Sequence, residues 1–221
     1  MKKGFDMAEG QGLRFFGKIS ASISHELKNV LAIINENAGL LQDYAFKADQ
    51  GVPFETERIK VLAERMKAQI RRGDKIIKNM NWLAHSVDEP VKTVDLRDIL
   101  ENMITLSERL ATLKGVALEI KPAANPVRIT TYPFFLENII WQCLEFAIDA
   151  GSGGKTVSIV SETAEQGARI RYFWRGEGRE SPVTSFPTQH EEALLKRLNA
   201  RISMDPRAGE IVLILPADIT G

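Results

Sequence analysis

The sequence predicts a protein of two parts, an all-α helical hairpin followed by an α+β domain whose mixed sheet is covered by helices on one face. Apolar residues recur every three or four positions over residues 13–48 and again over residues 59–83, as in amphipathic helices. Gly51-Val52-Pro53 separates the two runs and breaks the helix. After Pro90, short strands and helices follow one another without the strict alternation of an α/β protein.

The composition is that of an ordinary globular protein. Lys+Arg and Asp+Glu both number 29, so no net charge attracts nucleic acid or anionic lipid, and we expect neither as a partner. A single cysteine, Cys143, excludes a disulfide framework and a thiolate metal site. The N-terminus has no apolar signal core, and no apolar run approaches the ~20 residues that span a bilayer. These features predict a cytoplasmic protein.

Each of the first two predicted helices carries one apolar stripe. The stripe of the first helix comprises Ile19, Ile23, Leu27, Val30, Ile34, Ala38, Leu41 and Tyr44 or Ala45. The stripe of the second comprises Ile59, Leu62, Met66, Ile70, Gly73, Ile76 or Ile77, Met80 and Leu83. A two-helix hairpin cannot bury both stripes alone, and a second copy would complete a four-helix bundle. The sequence therefore predicts a homodimer, with a flexible N-terminus over residues 1–12, the hairpin over 13–86 and a linker over 87–94.

Residues 95–221 form the predicted second domain. Asp95 is a plausible N-cap for a helix that reaches residue 114, and Gly151-Ser152-Gly153-Gly154 stops a strongly apolar helix that starts at Pro133. The other predicted elements are strands over 116–120, 127–130, 157–161, 168–174 and 210–215, and a helix over 191–201.

His25 is the candidate functional residue of the first helix. At about 100° per residue, His25 lies roughly 200° from Ile23, on the side opposite to the apolar stripe. Ser22 and Asn29 lie one turn away on its own side, and Glu26 flanks it. Geometry alone favours an ordinary solvated surface histidine.

The residues around His25 resemble a known motif. The run Ser24-His25-Glu26-Leu27-Lys28-Asn29-Val30-Leu31 resembles the H-box of sensor histidine kinases, His-Glu-Leu-Lys/Arg-Asn/Thr-Pro-Leu, with Val30 in the proline position. The resemblance implies a HisKA-type dimerisation and phosphotransfer domain in which His25 carries the phosphoryl group, Glu26 orients its ring, and Asn29 positions water. A neutral imidazole is nucleophilic near pH 7, which suits that role.

Five further residues are candidates for partner binding. Ser22 and Lys28 flank the histidine, and Arg71, Arg72 and Lys75 form a basic patch on the second helix. The patch is either a solvated face or a docking surface for the acidic pocket of a receiver domain. The resemblance implies response-regulator receivers as partners.

The second domain resembles the GHKL-type ATP-binding domain of the same kinases, but without its nucleotide residues. The family's N-box reads Asn-x-x-x-Asn-Ala, and the register set by Ala147 places Gln142 and Phe146 at the two asparagines. The family's Asp-x-Gly-x-Gly motif corresponds to Trp174-Arg175-Gly176-Glu177-Gly178, with tryptophan at the aspartate. Phenylalanine offers magnesium no ligand, and tryptophan offers adenine no carboxylate. The resemblance thus implies a degenerate ATPase-like domain with no cofactor, magnesium coming with the receiver.

Besides a receiver phosphatase that would rely on Glu26 and Asn29, the sequence leaves three functions open. The first is a phosphotransferase with a phosphohistidine intermediate, which relays phosphoryl groups between receiver aspartates and His25 without ATP and resembles the bacterial dimeric histidine phosphotransferases. The second is a non-catalytic pseudokinase that binds a receiver or a partner kinase. The third is a divergent soluble histidine kinase that uses ATP.

Overall fold

A computed structural model describes residues 2–53, 55–123, 125–151, 156–174, 186–205 and 208–220. The helices are α1 (Lys2–Asp49), α2 (Thr56–His85), α3 (Leu96–Leu113), α4 (Pro133–Ala150) and α5 (Gln189–Arg197). The strands are β1 (Lys92–Asp95), β2 (Ala117–Ile120), β3 (Arg128–Thr131), β4 (Thr156–Ala164), β5 (Gly167–Trp174), β6 (Arg201–Asp205) and β7 (Glu210–Pro216). The chain forms two compact units: residues 20–81 make the hairpin unit, and residues 1–19 join residues 82–221 in the C-terminal unit.

The hairpin unit is built from the greater part of α1 and α2. Ile23, Val30, Leu62 and Ile76 are buried, which agrees with the two predicted stripes. Gly73 faces Val30 of the other helix, and a Cβ on it would meet the Cγ1 atom of Val30 at an ordinary contact distance of 3.5 Å. Other apolar side chains of this unit remain exposed: Leu31, Leu40, Phe46, Val61, Ile70 and Ile77.

The C-terminal unit contains a five-stranded mixed sheet in the order β2-β4-β5-β7-β6. β2 and β4 are parallel, and the remaining neighbours are antiparallel. One face is apolar and packs under the helices, with Val157, Ile159, Ile170, Tyr172 and Leu213 all fully buried. The opposite face carries ion pairs between Arg171 and the carboxylates of Glu162 and Glu210. This arrangement confirms the predicted α+β domain with helices on one face.

The predicted linker contains a strand. β1 pairs antiparallel with β3 from Lys92 opposite Thr131 to Asp95 opposite Arg128, and the two strands form a separate small sheet. The linker prediction was therefore wrong for its last residues. Four residues are too few for a periodic signal, and their partner lies more than thirty positions along the chain, so pairing with β3 decides the conformation. Asp95 caps α3 as predicted, because its side chain accepts a hydrogen bond from the backbone of Arg97.

A second strand, β6, replaces the predicted end of the helix over 191–201. α5 starts in a capping box made by Thr188 and Glu191 and ends at Arg197. Asn199 has a φ of 49°, a left-handed conformation that terminates the helix and turns the chain into β6. β6 then pairs with β7 along the edge of the sheet.

α1 begins at Lys2, within the stretch predicted to be a flexible N-terminus. Phe15 is 1% exposed and packs edge-on against Phe134 and Trp141 of α4, with ring centroids 5.7 and 6.1 Å apart. Gly12 permits this approach, since a Cβ there would lie 2.7 Å from a Phe134 ring carbon. Gly12, which weakens the helical pattern in the sequence, is thus a packing requirement of the C-terminal unit.

Candidate functional site

His25 lies on α1 within the hairpin unit and is exposed. Ile23 and Val30 are buried while Lys28 and Asn29 are exposed, so α1 has the two-sided character that helical geometry predicts. No described residue makes a hydrogen bond or an ion pair with the imidazole of His25. The ring is therefore accessible to an incoming reactant.

Glu26 and Arg72, two of the candidate residues, are brought together across the hairpin. The Arg72 Nη2 atom donates to the Glu26 Oε1 atom at 3.3 Å. The Glu26 side chain is 14% exposed and that of Arg72 is 51% exposed, so the carboxylate is held at the hairpin seam while the guanidinium extends into solvent. The carboxylate expected to orient the histidine ring is therefore oriented by a cation on the facing helix.

The remaining partner-binding candidates differ in how exposed they are to solvent. Lys28, Arg71 and Lys75 are exposed, and Ser22 is half-buried. Lys28 and Lys75 form no salt bridge with any residue in the described ranges. Their ammonium groups remain available to an acidic partner, as does most of the Arg72 guanidinium.

The positions that correspond to a kinase nucleotide pocket hold aromatic rings. Phe146 stacks on Phe186 with centroids 4.7 Å apart and planes 25° from parallel. Its ring also meets Trp174 edge-on at 6.4 Å. We call these three residues the aromatic cluster. Residues 175–185, which include Gly176 and Gly178 of the predicted degenerate motif, lie outside the described residues.

Two polar residues of α4, Gln142 and Asn138, are joined by one hydrogen bond. Gln142, at the first N-box position, donates from its Nε2 atom to the Oδ1 atom of the buried Asn138 at 3.4 Å. Phe186 was not identified from the sequence, because nothing in its local pattern indicates that its ring returns to α4. Its contact with Phe146 depends on tertiary structure. The sequence predicted only that polar nucleotide-binding groups are missing here, and the structure adds that aromatic rings pack together at this place.

Within the described ranges no three His, Cys, Asp or Glu side chains are grouped so as to hold a metal ion. No described helix is both long enough and apolar enough to cross a membrane.

Comparison with known proteins yields matches among solved structures alone. No family model matches the sequence, and no curated protein does. A bacterial phosphotransferase aligns at a TM-score of 0.52 with 14% identity, over 91% of this chain and 95% of that one. The Acinetobacter baumannii histidine kinase AdeS aligns at 0.49 with 15% identity, over 87% and 98% of the two chains. A histidine kinase from Burkholderia phymatum STM815 aligns at 0.47 with 13% identity, over 92% and 98%. The chain thus shares its fold with that bacterial phosphotransferase.

Proposed function

We propose that this protein is a histidine phosphotransfer protein, in which His25 accepts a phosphoryl group from one receiver aspartate and passes it to another. The observation that carries the proposal is the exposed imidazole of His25 within an H-box-like run, on a helix whose opposite side is buried. In the accepting step, a lone pair on a ring nitrogen attacks phosphorus. The bond from phosphorus to the aspartyl oxygen breaks and its electron pair leaves with the carboxylate. The proton on the other ring nitrogen passes to solvent or to a nearby base, and the onward step reverses this sequence.

Glu26 and Arg72 act as positioning residues in this proposal. The salt bridge at 3.3 Å fixes the carboxylate of Glu26, the residue that follows the reacting histidine, and its charge would offset the positive charge that develops on the ring. Asn29, one turn along α1, is placed to orient water during dephosphorylation of a receiver. Ser22, Lys28, Arg71, Arg72 and Lys75 form the receiver-facing surface, whose cations suit the acidic, magnesium-binding pocket of a receiver.

The aromatic cluster supports a relay that does not use ATP. A nucleotide would have to displace the stacked rings of Phe146 and Phe186, and neither ring offers magnesium an oxygen ligand. The phosphoryl group therefore comes from a phosphorylated receiver, which also supplies the metal. Receivers of this kind operate in the cytoplasm, where we place the protein.

Exposed apolar side chains on the hairpin unit support a homodimer. Leu31 is 63% exposed and Ile70 is 51% exposed, although both belong to amphipathic helices that bury other apolar residues. A second hairpin would cover them and complete a four-helix bundle. Light scattering coupled to size exclusion should give the mass of a dimer.

Phosphoryl transfer from a panel of purified phosphorylated receivers tests the proposal. We expect label on the wild-type protein that is stable to base and labile to acid, and no label on His25→Ala. His190→Ala is the matched control, since His190 is also an exposed helical histidine. The relay is refuted if wild type takes up label from ATP and from no receiver, which would indicate a kinase. It is equally refuted if receivers bind His25→Ala and wild type alike and label neither, which would indicate a pseudokinase.

A further inference from the structure

The C-terminal unit contains a cavity that phosphotransfer does not use. It has a volume of about 380 Å³ and lies among the end of α2, the segment that includes β1, and the first turns of α3 and α4. Its apolar wall includes Trp82, Ile99 and Pro133, and its polar wall includes Ser86, Asp98 and Glu137. We call it the linker cavity. Its volume falls within the range of about 300–1,000 Å³ typical of small-molecule sites.

Glu137 is the unusual residue of the linker cavity. Its side chain is 0% exposed, and neither carboxylate oxygen has a hydrogen-bond partner among the described residues. The neighbouring Ser86 hydroxyl, which also lines the cavity, donates its proton to the carbonyl oxygen of Leu83 at 2.8 Å. A buried carboxylate without a partner loses several kcal/mol of solvation, so such groups are rare unless a ligand or a proton satisfies them.

The wall of the cavity carries more acidic than basic side chains. Glu89 pairs with Lys92 at 3.3 Å, and Asp95 lies 3.7 Å from Arg128. The side chain of Asp98, by contrast, forms no salt bridge or hydrogen bond with a described residue, although its charge interacts with that of the neighbouring Arg97. Asp98 and Glu137 are therefore two carboxylates of the cavity wall that take part in no ion pair.

The size and the ligands of the linker cavity favour an organic cation over a metal ion. At about 30 Å³ for each water molecule of the liquid, the cavity would hold roughly a dozen waters, far more than the space of one ion. Among the described residues that line the cavity, no three His, Cys, Asp or Glu side chains are grouped closely enough to bind a metal ion. Apolar side chains and acids both line the cavity, which suits a molecule with methylene groups between charges.

We propose that the linker cavity binds a small aliphatic amine of the linear diamine class, with one ammonium group on Glu137 and the other on Asp98. The methylene chain packs against Ile99 and Pro133, and the indole of Trp82 offers a further cation-binding surface. The inference concerns the C-terminal unit and does not depend on the reactivity of His25.

Proton release is the signature of this site. Burial raises the pKa of Glu137 to about 8, the Ser86 hydroxyl lowering it by a smaller amount, so the empty site is largely protonated at pH 7. An ammonium group stabilises the ionised form, and binding at pH 7 therefore releases close to one proton. Affinity should rise from pH 7 to pH 9. The other charged groups that face the cavity are His85, Glu89, Lys92, Asp95 and Asp98.

Isothermal titration calorimetry of the full chain with 1,4-diaminobutane tests the proposal. At pH 7, the heat should differ between phosphate and MOPS buffers, neither of which is a primary amine, by the amount that one released proton requires. The diol 1,4-butanediol, which has the same length without charge, should not bind. Glu137→Gln should weaken diamine binding at least tenfold and abolish the buffer dependence. Asp98→Asn should weaken binding while the buffer dependence remains.

Glu108→Gln is the matched control, because Glu108 is an exposed acid on the same helix as Asp98 and outside the cavity. It should bind the diamine as wild type does. The proposal is overturned if wild type shows no diamine binding at pH 8.5, or if the diol or Glu137→Gln binds equally well. Should Glu137→Gln fail to give the helical circular dichroism of wild type, Asp98→Asn decides alone, and unchanged binding overturns the proposal. His25→Ala should still bind the diamine, so the test of this site does not depend on whether the proposed phosphotransfer is correct.

Discussion

Replacing Glu137 with glutamine should change how the stability of the protein depends on pH. In the folded chain, burial raises the pKa of this carboxyl to about 8 from an ordinary value of 4.5. Between these two pH values the folded chain retains the proton and the unfolded chain has lost it. The unfolded state therefore binds fewer protons, and stability falls as pH rises through this window. Glutamine has nearly the same shape and does not titrate.

The expected slope follows from the size of the shift. Each pH unit between about 5 and 8 should lower the free energy of unfolding of wild type by about 1.4 kcal/mol relative to Glu137→Gln. By pH 7 the accumulated loss is about 3 kcal/mol, a large part of the ~5–15 kcal/mol that stabilises a typical protein. Above pH 8 both states are ionised and the difference becomes constant.

Urea unfolding of both proteins in amine-free buffers from pH 5 to pH 9 measures this difference. Circular dichroism reports the transition, at one protein concentration throughout. Exposed carboxyls with lowered pKa values, such as Glu64 and Asp218, affect wild type and variant alike and cancel in the comparison. Glu108→Gln, which removes an exposed carboxylate, should follow wild type. Parallel curves for wild type and Glu137→Gln would refute the reasoning, since they would mean that the carboxyl is hydrated or paired when folded.

Two further substitutions probe the hairpin and the aromatic cluster. Gly73→Ala should raise the free energy of unfolding by about 1 kcal/mol, because alanine favours the helix and its methyl group meets Val30 at an ordinary contact distance of 3.5 Å. A lower urea midpoint for Gly73→Ala would mean that the helices cannot accept the methyl group. Phe146→Ala should cost about 2 kcal/mol, less than the ~3–5 kcal/mol of a fully buried phenylalanine, because its ring is half-buried. The same variant should bind no fluorescent ATP analogue, and saturable binding would show that the ring alone excluded the nucleotide.

Local signals were sufficient to predict most helices. Pro133 fixes the start of α4 and the glycine run from Gly151 follows its end, and the structure has those bounds. Asp95 likewise marks the start of α3 through its own side chain. Such elements are encoded within a few residues, so a single sequence is enough to locate them.

Features that depend on distant partners were missed. β1 and β6 are four and five residues long, and each forms because another strand, β3 or β7, offers its backbone. Phe186 reaches Phe146 across forty positions of chain. Glu137 did leave a signal, since it shares a helical stripe with Trp141, Leu144 and Ile148, all of them buried. Helical spacing alone is therefore enough to indicate that a carboxylate at this position is buried.

The exposure of His25 was predictable from helical spacing, whereas the Glu26–Arg72 contact was not. Spacing along α1 assigns His25 to a side of the helix, and the exposed side chain agrees. The contact at 3.3 Å joins residues on two helices, so it depends on how α1 and α2 are aligned. Hydrophobic stripes set the faces that meet, but they do not fix which polar residues come to lie opposite one another.

The packing of Phe15 on α4 bears on how this protein can be divided into fragments. A fragment cut at residue 87 would leave Phe134 and Trp141 without the ring that shields them, although both lie in its own sequence. Expression of that fragment should yield an aggregation-prone product, whereas adding the first nineteen residues as a separate peptide should restore its solubility. Dissection experiments therefore need boundaries chosen by contact and not by order along the chain.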